Sequence, residues 1–338
     1  MTRPLGLRSP SRRSVVKWTA AAAAGVFAPA ILGTRSSFAA YPDRPVKIVV
    51  ANTPGGPSDI VARIVAAALE QKTGKTFIIE NKGGAGSNIG MGFVAGSDPD
   101  GYTLLLATNA FSVNVTLYNK IPYEPWKDFV AVSECASAAN TFVVRSELPA
   151  KNIKEFIALV KANPEKYNVA TPPIGTAPQL QAEVFKLRTG LQKMETVVFK
   201  GGGDALQALL SGTVQLSSGS LPPAHPHIKS GTLRCLAVTS ETRWPDLPDV
   251  PTMEDEGFKD FVFATDCSLM APAKTPKDIV AWLEKEILAV LGTPEMKERL
   301  FKAGFQVQPK GAKAAFTRMD KEIGIFKDVI EKANIQKL

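Results

Sequence analysis

Apolar positions along this chain switch between two periods. Val46-Lys47-Ile48-Val49-Val50 is a β-branched run that reads as a buried strand, and after Thr53-Pro54-Gly55-Gly56-Pro57-Ser58-Asp59 the spacing changes, with Ile60, Ile64 and Ala68/Leu69 on one helical face. The switch recurs. Thr76 to Glu80 reads as a strand, and the glycine-rich turn from Asn81 through Asn88 to Gly90 leads to a short helix. Asp98-Pro99-Asp100-Gly101 is a turn signal before Tyr102 to Thr108, an apolar run suited to a sheet covered on both faces. Thr108 and Asn109 then stand at a strand's carboxyl end, where open α/β sheets bind ligands.

The pattern continues after a composition shift near Phe142 to Arg145. A helix from Ile153 to Ala162 leads into a strand ending at Thr171, and Pro172-Pro173-Ile174-Gly175-Thr176-Ala177-Pro178-Gln179 opens a helix carrying Leu180, Val184 and Leu187. A strand to Phe199, the Lys200-Gly201-Gly202-Gly203 turn, a helix to Leu210 and a strand from Val214 to Ser217 repeat the step. Thr232 to Thr239 reads as a strand and Phe258 to Ala264 as an extended return. The last seventy residues read as helical, with starts at Thr275-Pro276 and Thr293-Pro294. This pattern predicts an α/β protein of two lobes, with residues 41–143 and 263–338 forming one and residues 144–262 inserted as the other. Glycine loops from both would line the cleft between them.

The formal charge of +8 changes little. Residues 1–40 carry Arg3, Arg8, Arg12, Arg13, Lys17 and Arg35 and no acid, so the rest of the chain holds only +2, which is no footprint for nucleic acid. Those forty residues read as a Tat-type signal peptide: Arg12-Arg13, the apolar stretch Trp18 to Leu32, and small residues to Ala39-Ala40. The apolar stretch is shorter than a membrane span and contains Pro29. Export to the periplasm as a soluble body is the expectation.

Three cysteines, Cys135, Cys235 and Cys267, have no metal-ligand spacing; Cys235 reads as a core residue, and a Cys135–Cys267 disulfide is an open minor alternative. The histidines stand together in Pro223-Ala224-His225-Pro226-His227, read as a surface turn because no third ligand completes a metal site. At Gly55-Gly56 two readings stay open. A helix start facing a ligand without side chains in the way would favour an anion, or Ser58 or Asp59 would cap the helix and occupy its donors.

Several runs together resemble the Bug family, the periplasmic receptors of tripartite tricarboxylate transporters. They are Tyr41-Pro42-x-Arg44-Pro45-Val46-Lys47-Ile48-Val49-Val50, Pro54-Gly55-Gly56-x-Ser58-Asp59-Ile60-x-Ala62-Arg63, Glu80-Asn81-x-x-Gly84-Ala85-Gly86-x-Asn88-Ile89-Gly90 and Pro99-Asp100-Gly101-Tyr102-Thr103-Leu104. Gly175-Thr176-x-x-Gln179-Leu180, Phe199-Lys200-Gly201-Gly202, Leu236-Ala237-Val238-Thr239-Ser240 and Leu247-Pro248-Asp249-Val250-Pro251-Thr252 agree, in order along nearly the whole chain after residue 40. The resemblance implies a type II periplasmic-binding-protein fold, two lobes closing on a small organic acid, delivery to membrane permease subunits, a monomer, and neither cofactor nor metal. It favours the anion reading. Thr53, Gly55, Gly56, Ser58 and Asp59 would form one wall, Asn88 and Thr108 the floor, and Gly175, Thr176, Ala177 and Gln179 the facing wall, with Lys200 and Gly201 as weaker candidates.

Three positions depart from the family pattern. Gln179 stands where many relatives have His, Gly219-Ser220 where they often have Asp-Asn, and Asp266 where they tend to have an aromatic. Asp266 would pair with a base such as Arg145, point to solvent, or face the ligand and repel a second carboxylate. Enzyme readings find no support: the chain has no complete dinucleotide fingerprint, no phosphate-binding Gly-x-x-x-x-Gly-Lys loop and no Gly-x-Ser-x-Gly elbow. Sensing, with the closed lobes docking on a membrane histidine kinase, remains the alternative to uptake.

Overall fold

The computed structural model describes residues 41–332 and 335–338; the signal peptide expected over residues 1–40 lies outside them. Strand β1 (Val46–Val50) is buried except at Lys47, as its β-branched residues require, and pairs in parallel with β2 (Phe77–Asn81) and β3 (Thr103–Ala107). Helix α1 (Pro57–Thr73) forms the first crossover, and α2 (Asn88–Ala95) the second. Helix α3 (Ala110–Leu117) follows β3. After the short α4 (Pro125–Asp128) comes β4 (Phe129–Arg145), a strand of 17 residues that organises the sheet.

The first part of β4 pairs antiparallel with β9 (Ala264–Pro272) along one edge and with β10 (Gln306–Gly311) along the other. Its last part pairs with β7 (Leu216–Ser220) and β8 (Leu233–Val238), and β7 leads through parallel pairing to β5 (Asn168–Thr171) and β6 (Glu195–Val198). Two wings thus share one strand. Helices α5 (Ile153–Ala162), α6 (Ala177–Thr189), α7 (Gly202–Leu210) and α8 (Leu221–Lys229) belong to the second wing, and α9 (Lys277–Leu291), α10 (Pro294–Lys302) and α11 (Ala312–Lys332) return to the first. In the first wing Val49, Leu105, Phe111, Phe129 and Met270 share a core, and Phe111 meets Phe129 edge-on at 5.5 Å. Buried Phe142, Phe156, Leu180 and Phe185 anchor the second.

Three expectations are corrected. The C-terminal seventy residues are not all helical, because β10 fills the free edge of β4. Phe258 to Phe263 is irregular, its aromatic rings packing on one another rather than its backbone joining a ladder, and β9 begins only at Ala264. The two histidines lie within α8, not on a turn: Pro222 and Pro223 occupy its first turn, where their missing N–H groups cost nothing. His225 is buried there, with Nε2 3.0 Å from Asp246 Oδ2. All three cysteines are free and buried. Among the described residues no helix is long and apolar enough to cross a membrane, and no group of three or more His, Cys, Asp or Glu is placed to hold a metal.

Candidate functional site

The carboxyl ends of β1, β3, β5 and β7 surround one enclosed cavity of ≈ 40 Å³. Five helices start at it. Gly56 and Pro57 open α1, Thr108 precedes α3, Thr176, Ala177 and Pro178 open α6, Gly202 opens α7 and Ser220 precedes α8; Asn52, Pro172 and Thr265 complete the lining. At α3 the Thr108 hydroxyl accepts from the Ala110 N–H at 3.4 Å, and the other four have no side-chain cap on their first turn. By contrast α5 and α10 are capped, Asn152 accepting from the Glu155 N–H and Thr293 from the Met296 N–H. Uncapped first turns leave backbone N–H groups facing the cavity, and aligned peptide dipoles make each start partly positive. Prolines at Pro57, Pro178, Pro222 and Pro223 remove some of these donors, so the supply falls mainly to Ser58 and Asp59, Ala177, and Gly202 and Gly203. No charged side chain lines the cavity.

The predicted residues divide into those that meet and those that do not. Gly56, Thr108, Thr176 and Ala177 line the cavity together. Gly55 is exposed at φ +77°, and its N–H is given to Asp59 Oδ2 at 3.0 Å. Asp59 braces this turn: Arg63 Nε donates to it at 3.0 Å and Asn81 Nδ2 at 3.0 Å. Burial alone would raise its pKa, but Arg63, the Gly55 N–H and Asn81 hold it below the usual carboxylate range. That bond runs backward out of the helix and leaves the first-turn donors uncapped, so the capping alternative for Asp59 fails. Ser58 Oγ accepts from Asn52 Nδ2 at 3.1 Å, and no side chain caps the start of α1.

Contacts across the cavity explain several glycines. A Cβ on Gly201 would stand 1.7 Å from Thr53 Oγ1, and one on Gly175 would stand 2.2 Å from Asn114 Oδ1. Asn114 in turn donates to Gly86 O at 2.6 Å and to Asn88 Oδ1 at 3.0 Å, so Asn88 is part of this junction. Thr53 Oγ1 and Gln179 Oε1 are buried without a hydrogen-bond partner, a costly condition for polar atoms. Beyond Thr53 an open pocket of ≈ 540 Å³ is lined by Asn52, Thr53, Pro54, Asn81, Gly83, Gly84, Ala85, Pro173, Val198, Phe199 and Lys200. A groove of ≈ 420 Å³ between α1, α9 and α10 brings together none of the predicted site residues.

Asp266 lies on the far side of the floor. Successive strand residues face opposite ways, and Thr265 takes the cavity side of β9. Asp266 Oδ2 accepts from Asn109 Nδ2 at 3.1 Å and lies 3.4 Å from Arg318 Nη1. Asp266 does not line the cavity, and its basic partner is Arg318; Arg145 Nε instead lies 3.4 Å from Glu147. Sequence reasoning missed Asn52, Pro57, Pro172, Pro178, Gly202, Ser220 and Thr265 as lining residues. Thr265 was one position from the residue singled out, and strand alternation was the available signal.

Comparison with known proteins bears on this site. A family model described as the tripartite tricarboxylate transporter family receptor matches residues 61–335. Protein BugT of Bordetella pertussis is 33% identical over 313 residues, covering 92% of each chain. The solved periplasmic binding protein BugD is 35% identical with a TM-score of 0.85, over 88% of this chain and 100% of its own. An R. palustris protein solved with adipate is 31% identical, also with a TM-score of 0.85, over 88% of this chain and 100% of its own.

Proposed function

The chain belongs to the tripartite tricarboxylate transporter receptor family, and on that premise we propose that its cavity captures one end of a small dicarboxylate while the pocket beyond Thr53 takes the other. Its place is the periplasm, and it is a receptor rather than an enzyme. The observation that carries the ligand reading is the convergence of five helix starts, four of them without a side-chain cap, on a cavity lined by no charged side chain among the described residues. Such a site suits a carboxylate held by main-chain donors. Lys200, at the rim of the outer pocket, offers a cation to a second acidic end. Asp266, the one group that would have repelled a second carboxylate, faces elsewhere. The adipate bound by the relative is an acid of this kind.

The finer architecture is part of the proposal. Residues 41–143 with 263–338 and residues 144–262 act as two lobes, hinged where β4 and β9 pass between the wings. A space of ≈ 40 Å³ holds a few waters, far below the roughly 300–1,000 Å³ of ligand pockets, so the lobes part to admit the ligand. Contacts of Gly201 with Thr53 and of Gly175 with Asn114 then mark the closed form. Export by the Tat route, action as a monomer and delivery to permease subunits complete the reading.

The test is a thermal-shift series on the mature protein with succinate, adipate, the matching monocarboxylates and amino acids, because a ligand that binds only the folded state raises the midpoint. Dicarboxylates should give the largest shift. A shift with amino acids and none with any dicarboxylate would overturn the reading.

A further inference from the structure

Behind the cavity floor three acids share one guanidinium. Arg318 Nε lies 3.2 Å from Glu134 Oε2, Nη1 lies 3.4 Å from Asp266 and 2.5 Å from Glu322, and Nη2 donates to Ser268 Oγ at 2.8 Å. Charged groups face Glu322 from its own helix α11 (Arg318) and from β9 (Asp266), while Glu134 of β4 shares the Arg318 guanidinium and β10 brings Lys310 to 3.5 Å from Glu134. Helix α3 presents only the uncharged Asn109 and Ser112. Three carboxyls against two bases leave one in excess. Burial pushes Glu322 up, Arg318 opposes this and Asp266 adds to it, with the balance at about 7.

Hydrogen bonding favours a proton on the same residue. Ser112 Oγ lies 3.2 Å from both Met319 O and Glu322 Oε2, and its single hydrogen can serve only one of them. With Glu322 protonated at Oε2, Ser112 accepts from the carboxyl and donates to Met319 O. Both contacts are then satisfied.

One side chain joins this cluster to the cavity. Asn109 Nδ2 donates to Asp266 Oδ2 at 3.1 Å and to Glu322 Oε1 at 2.8 Å, while Asn109 Oδ1 accepts from the Asp266 N–H at 2.7 Å. Asn109 directly follows Thr108, and Asp266 directly follows Thr265; both threonines line the cavity. We propose that Asn109 is a positioning residue coupling the cavity to the acid cluster, so that binding an anion at the floor takes up a proton at Glu322. The inference rests on the carboxylate reading of the cavity. A bound anion adds negative charge beside the cluster and makes ionised Glu322 costlier; by reciprocity, lower pH tightens binding.

Calorimetry of the mature protein with adipate and with succinate at pH 7, in phosphate and in Tris, reads the proton directly, because the two buffers differ in ionisation heat. A buffer-dependent heat corresponding to proton uptake is expected, with affinity about three- to tenfold tighter at pH 6 than at pH 8, since each unit of pKa change on binding is worth at most tenfold. In Glu322→Gln the uptake should vanish and the affinity should become flat with pH. Asp266→Asn, which removes a neighbouring negative charge, should move the pH midpoint lower. Binding with buffer-independent heat in the wild-type protein, which needs no variant to fold, would overturn the coupling, and proton uptake retained in Glu322→Gln would overturn its assignment to that residue. No heat with either acid would overturn the functional reading itself, a different result from binding without proton uptake.

Discussion

Thr265 and Asp266 are neighbours on β9, and the two sides of the floor they mark hold polar groups by opposite means. On the Thr265 side the lining carries no charge, and the donors are helix starts without caps. On the Asp266 side full charges are buried and paired, with Glu134 1% exposed and within 3.2 Å of Arg318. Ion pairs of this kind fix geometry, and removing one partner strands the others. Partial charges on peptide groups attract an anion without adding a mobile counter-charge, so the ligand can be held and given up. A receptor needs permanence on one side and release on the other.

Breaking the charged side should give the largest effect. Arg318→Leu leaves three acids without their shared base and should cost about 3–5 kcal/mol in denaturant unfolding. Next comes Gly201→Ala, whose Cβ would overlap Thr53 Oγ1 although the Gly201 backbone, at φ −166°, is open to any residue. Dicarboxylate affinity should fall about a hundredfold, ~2.7 kcal/mol, with an unchanged circular dichroism spectrum. An undiminished affinity would place the ligand elsewhere. Thr265→Val removes a hydroxyl that lines the cavity and donates to Asn140 Oδ1 at 2.6 Å; about 1 kcal/mol, several-fold in affinity, should be lost. Smallest should be Asp266→Asn read as selectivity: the preference for dicarboxylates over amino acids at one pH should shift less than about threefold, which calorimetry checks.

Stability against pH sharpens the same contrast. The folded-state pKa of Glu322 stands at about 7 against 4.5 for an ordinary glutamate, so between those values the folded form holds the extra proton. Its contribution to stability is greatest at the acidic end of that window and declines as pH rises through about 7. Asp59 has the opposite sign, since its pKa is lowered: its contribution is present above the unfolded value and is lost as pH falls through the folded one. Melting midpoints of the wild-type protein and of Glu322→Gln from pH 5 to 8 should diverge, with the wild type alone losing stability toward pH 8 from this group.

The sequence made legible what is local. The strand at Val46–Val50, the helix at Ile153–Ala162 and the turns at Gly55-Gly56, Gly175 and Gly201 announce themselves through period and glycine, and the structure has each. Ladder partners far along the chain were not legible. β10 has no sequence signature of its own, its burial being slight, and is a strand because β4 offers an edge. Gly55 carried the turn but not the knowledge that Asp59 takes its N–H. Asp266 was visible as an oddity, while its partners Asn109 and Arg318 lie 157 residues before and 52 residues after it.

The shared strand also dictates an order of assembly. Leu105 of β3 meets Met270 of β9, and Phe129 of β4 meets Pro272, so the first wing cannot close until its last third has been synthesised. β5, β6, β7 and β8 need only residues up to Val238, and through β7 and β8, which pair with β4, the second wing can form earlier. Such distant pairings are slow to form and leave strand edges open meanwhile. The parallel strands β1, β2 and β3 can pair among themselves early, so what a ribosome nearing the end of this chain still lacks is the strand that closes its beginning.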